Sequence, residues 1–93
     1  MRYKARPGII CRTICDETVL IAVGDALNYC PDIQAINKGA AFYWPLIEKN
    51  MDTAEILAEA EDTFAIKKEI LEPGLTRFIT KLVTESYIVP IQE

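Results

Sequence analysis

The chain has no histidine, so none of its cysteines or serines has an imidazole to act as general base, and the usual nucleophile–base pairs are excluded. It has no glycine-rich phosphate loop, its four glycines being scattered, and no pair of carboxylates that the sequence brings together in a cleft. Catalysis is therefore not expected. The three cysteines are odd in number and lack CxxC spacing. They cannot build a disulfide framework and, without histidine, do not resemble a zinc site, so no metal or other cofactor is expected. No apolar run is long enough to span a bilayer, and the opening MRYKARP lacks the continuous apolar stretch of a signal peptide. Free thiols in a reducing cytoplasm fit this pattern. Internal repeats, linkers and low-complexity segments are also missing.

What is present is the composition of one soluble domain. At 93 residues, 51% hydrophobic and 26% charged, the chain can bury a real core without staples, and residues 1–93 read as a single unit. The net charge of −4 is unevenly spread. Arg2, Lys4, Arg6 and Arg12 make the entry basic, which suits either an acidic partner or a solvated edge. Glu48, Asp52, Glu55, Glu59, Glu61, Asp62, Glu69 and Glu72 make the helical region acidic. Acidic helices argue against nucleic acid, which needs Lys and Arg on the docking element.

The stretch IQAINKGAAFYWPLI organises the rest. Ile33, Gln34, Ala35 and Ile36 alternate as a strand with one buried face, and Asn37 is a favoured N-cap that turns the strand into a helix. Ala41, Trp44 and Ile47 recur at helical spacing, with Phe42 and Leu46 widening the stripe. Upstream, residues 8–15 (GIICRTIC) and 18–23 (TVLIAV) form an expected antiparallel hairpin about Asp16-Glu17, although Asp-Glu is not a favoured two-residue turn. On that strand Cys11 and Cys15 would share a face and act as small buried hydrophobes. Residues 24–32 return the chain to the third strand, with one helical turn near Ala26-Leu27.

Downstream, Asp52 and Glu55 have capping-box spacing, while Met51 and Ile56 stand where a hydrophobic staple closes. Ile56, Leu57, Ala60 and Phe64 give the second helix its inward face. Residues 67–86 form a third helix with two apolar faces, in which Pro73 predicts a kink or a fresh start. Tyr87-Ile88-Val89 packs back on the core. Three strands followed by three helices give an α+β, winged-helix-like class: a three-stranded antiparallel sheet, its hairpin first, leading into the helices. Trp44, Phe42 and Phe64 are expected in the core.

The segment from Ile36 to Ile47, INKGAAFYWPLI, resembles the signature of the PqqD-like family, whose pattern is approximately L-N-x-T/G-G/A-A-x-x-W-x-L-L. The capped second helix from Asp52 to Ile56 follows in register. Leu75-x-x-Phe78-Ile79-x-x-Leu82 is similar to the family's V-x-x-F-L-x-x-L, and a closing Tyr87-Ile88 completes a likeness that spans roughly residues 8–91. The resemblance implies a winged-helix RiPP recognition element. Such a domain binds the leader of a ribosomally made precursor peptide and presents it to a modifying enzyme, often a radical SAM enzyme.

In relatives the peptide adds as a strand against the third strand, in a groove beside the third helix. The resemblance thus points to Ile33, Gln34, Ala35 and Ile36 for the strand edge and to Leu75, Phe78, Ile79 and Leu82 for the helix wall. Pro45, where relatives carry a helix former, predicts a bend in the first helix. An open edge also admits a second copy of the chain, so a homodimer is an alternative occupant. Because fold alone does not set function, a winged-helix DNA-binding regulator and an adaptor that binds no peptide remain the alternatives.

Overall fold

A computed structural model describes residues 1–91 of the chain. Two short sheets and three helices enclose one core. Strand β1 (Tyr3–Ala5) pairs antiparallel with β5 (Ile88–Pro90), while β2 (Ile9–Ile14), β3 (Glu17–Ala22) and β4 (Ile33–Ile36) form an antiparallel sheet in the order β2-β3-β4. Helices α1 (Lys38–Glu48), α2 (Thr53–Phe64) and α3 (Lys68–Thr84) lie between β4 and β5 in the chain.

The β2–β3 hairpin turns at Cys15-Asp16, one residue earlier than expected. Both residues have positive φ, 50° and 66°, as a two-residue type I′ turn requires. The sheet sets this register. It pairs Ile9 with Ala22 and Cys11 with Leu20, all packed on the core, and a one-residue slip would turn that face outward. Thr13 and Thr18 end opposite each other, their hydroxyls 3.2 Å apart. Cys15 is consequently exposed at the hairpin tip, whereas Cys11 is half-buried against the core. Residues 24–32 contain the expected helical turn as a 3-10 segment, Gly24–Asn28. Beyond it, Cys30 is buried and its thiol donates to the Ser86 carbonyl at 3.1 Å.

Asn37 caps α1, its Oδ1 accepting the Ala40 N–H at 2.7 Å. Asp52 caps α2 within a complete capping box, and Glu55 Oε1 accepts the Asp52 N–H at 3.0 Å. Trp44, Ile47, Ile56, Leu82, Tyr87 and Ile88 are fully buried. Phe64, expected inside, is 42% exposed and meets half-buried Phe42 edge to face, with ring centroids 4.8 Å apart.

Helix α3 runs unbroken from Lys68 to Thr84 through Pro73, so the fresh start expected there does not occur. Glu69, whose carbonyl loses its helical donor to the proline, is solvent-exposed, as are Pro73 and Gly74, and water can meet the unsatisfied group. The helix begins instead where Glu61 of α2 accepts the Lys68 N–H at 2.8 Å. Helix α1 likewise continues through Pro45. Part of the basic entry is held in the fold. Tyr3 and Ala5 pack on the core, and Arg6 donates to the Ser86 carbonyl at 2.7 Å while its guanidinium lies 4.4 Å from the centre of the Tyr29 ring.

Candidate functional site

The hydrogen-bond alternation of the sheet decides what β4 offers. The Ala22 N–H donates to the Asp32 carbonyl and the Val23 N–H to Gly8, so Ala22 bonds toward β4 and Val23 toward β2. In an antiparallel ladder such pairs alternate. Leu20–Gln34 and Thr18–Ile36 are therefore the pairs that exchange bonds with β3. The N–H and C=O groups of Ile33 and Ala35 face the other way. Among the described residues no strand pairs with that side of β4. One of these groups is partly occupied locally, since the Gln34 side-chain amide donates to the Ala35 carbonyl at 3.0 Å.

Beside this edge lies a groove of about 440 Å³. Its floor is Gln34, Ala35 and Ile36 of β4, the Asn37 cap, and Gly39, Ala40 and Tyr43 of α1. Its far wall is α3, through Ile70, Leu71, Pro73, Gly74, Arg77, Phe78, Lys81 and Leu82. The tight strand-to-helix joint at Asn37 places the floor, because α1 starts directly where β4 ends. Tyr43 and Phe78 approach across the groove with ring centroids 6.4 Å apart. Burial holds the Tyr43 hydroxyl above the usual phenol range, so it stays neutral and able to donate.

The sequence-predicted residues divide between the groove and the interior. Gln34, Ala35, Ile36, Phe78 and Leu82 line the groove. Ile33 contributes its main chain to the open edge, but its side chain is 55% exposed and does not line the groove. Leu75 and Ile79, expected on the wall, are buried on a different side of α3, with Leu57 of α2 and Tyr3 of β1. The wall is rotated from the expected stripe toward positions 70, 74, 77 and 81. Two prominent features of it, Arg77 and Lys81, were missed. A signal was available, since Ile70, Arg77 and Lys81 recur at helical spacing on a face that the core stripe of Leu75, Ile79 and Leu82 leaves unused.

Groups of three or more His, Cys, Asp or Glu that could hold a metal ion are not found among the described residues. No helix there is long and apolar enough to cross a membrane.

No family model and no curated protein matches the chain. A solved structure, TbiB1 in complex with the TbiA(beta) leader peptide, matches 97% of this chain and 99% of its own with a TM-score of 0.75 at 17% sequence identity. The winged-helix-like α+β architecture that the PqqD-like resemblance implies is thus the one this chain has: it shares the fold of TbiB1.

Proposed function

We propose that this domain binds the leader segment of a ribosomally synthesised precursor peptide and presents it to a modifying enzyme, a radical SAM enzyme being the kind often found with relatives. The peptide adds as a strand along Ile33–Ile36 and rests its side chains in the groove against α3. The observation that carries this reading is the outward-facing Ile33 and Ala35 main chain, which no strand pairs among the described residues, directly beside that groove. The shared fold supports it, because TbiB1 was solved with a leader peptide bound. An exposed strand edge is a template for an incoming chain, with main-chain bonds supplying affinity and alternate side-chain pockets supplying selectivity.

Four added bonds at about 0.5–1.5 kcal/mol each and three buried apolar anchors at about 1.5–3 kcal/mol each give roughly 6–15 kcal/mol in gross terms. Ordering a flexible peptide costs about 2–5 kcal/mol or more. A Kd on the order of micromolar is expected.

The test is calorimetric titration with leader peptides encoded beside this chain's gene, on the native sequence and on Ala35→Pro. Proline at 35 removes an N–H that the β3 ladder does not use, and an edge strand tolerates it. Binding to the native chain with at least tenfold loss in the variant is the expected result. Equal binding by both would refute strand addition.

A further inference from the structure

The groove differs from the rest of the surface in charge. The chain as a whole carries −4, yet among the described residues none lining the groove is Asp or Glu, while Arg77 and Lys81 both line it. They stand four apart on α3, on one face, and both are exposed. The ion pairs present join the Met1 amino group to Asp52 and Arg2 to Glu55; neither groove cation has a carboxylate partner among the described residues. Glu85, one turn beyond Lys81, does not line the groove. Between the cations and the floor lie apolar surfaces from half-buried Leu71 and Phe78, with Ile70 70% exposed at the rim.

We infer that the occupant of this groove is an acidic, extended peptide segment, with Asp or Glu among the side chains turned toward α3 to meet Arg77 and Lys81, and with aliphatic or aromatic residues among the rest to cover Leu71, Phe78 and Ile70. This rests on the strand-addition reading and adds the chemistry of the ligand to it. The acidic residues that crowd the helices elsewhere repel such a segment, and within the basic entry Arg2 is paired with Glu55 while Arg6 is held by the Ser86 carbonyl and the Tyr29 ring, so the groove is the better place for it to settle. That selects the site by repulsion as well as attraction. Gly74 helps to admit the segment: a Cβ built there meets nothing within 4 Å, so the wall is open at mid-height between Ile70 and Phe78.

The test is selection of a phage-displayed library of random dodecapeptides on the full chain. It is followed by affinity measurement of the selected peptides on the native protein and on Ala35→Pro, Gly74→Phe and Arg77→Gln/Lys81→Gln. The expected result is enrichment of Asp and Glu among binders. Affinity should be lost in Ala35→Pro and in Gly74→Phe, which blocks the groove from α3 and so covers the case in which the proline variant fails to fold. The double glutamine variant should bind about 2- to 30-fold more weakly, from two partly screened ion pairs, and binding to the native chain should weaken as salt rises. Binders that require the open edge and groove but show no acidic enrichment, and that bind the glutamine variant equally well, would overturn the charge assignment and leave strand addition standing. A selection that yields no binders, or only binders indifferent to both Ala35→Pro and Gly74→Phe, would overturn both.

Discussion

Asn37 does two things at one position: its side-chain oxygen closes the first turn of α1 at 2.7 Å, and the residue lines the groove floor. Asn37→Ala should lower stability by about 1 kcal/mol, within the range of lost N-caps, read as a shift in urea midpoint. Asn37→Asp should retain most of it, because an acceptor remains at the helix N-terminus. Tyr87 gives a residue-scale prediction of another kind. Its buried hydroxyl donates to the Pro31 carbonyl at 2.8 Å, and burial, helped by Glu85, Cys30 and Asp32, pushes its pKa from 10.0 up to about 12. The folded state therefore favours the protonated phenol. That stability is fully present below pH 10 and is lost as pH rises through about 12. Alkaline unfolding monitored by circular dichroism should show the decline in the native chain, and Tyr87→Phe should show less of it. At this scale the sequence was legible where a residue's role is set by its immediate neighbours in the chain, as with the caps Asn37 and Asp52. Leu75 and Ile79 were not separable from Phe78 and Leu82, because a helix with apolar residues on more than one face does not say which face the rest of the fold will cover.

The elements divide along the same line. β4, the N-terminal cap of α1 and the capping box of α2 could be read from contiguous residues, whose patterning and end signals are local. β1 and β5 could not. Each has three residues, too few to show a period, and each finds its partner at the opposite end of the chain. The β2–β3 turn was misplaced by one residue because neither Cys-Asp nor Asp-Glu carries the usual turn signal, and the register was set by the buried faces of the strands. That leaves two non-glycine residues in left-handed conformations, at a cost of roughly 1–2 kcal/mol each for ordinary L-residues. Replacing them with the preferred pair, Cys15→Asn with Asp16→Gly, should raise stability by about 1 kcal/mol or more, measured by thermal melting. Unchanged or lower stability would show that the turn adopts a different geometry in solution.

Across the whole molecule, the account depends on a sheet with one side of β4 vacant and a groove running beside it, in a fold shared with TbiB1. The shared architecture was legible because the order of strands and helices and the Asn37 joint constrain it. The helical spacing of Ile70, Arg77 and Lys81 was visible in the sequence, but that this face walls a groove was not, because it gains that meaning only once α3 is laid against β4. The most direct measurement is amide hydrogen exchange along β4, read residue by residue by NMR on dilute protein and repeated with a saturating bound peptide. The account predicts protected Gln34 and Ile36 amides, fast exchange at Ile33 and Ala35 in the free chain, and protection of those two once peptide is bound. Slow exchange at Ile33 and Ala35 in the dilute free protein, or continued fast exchange at both with peptide saturating, would contradict it.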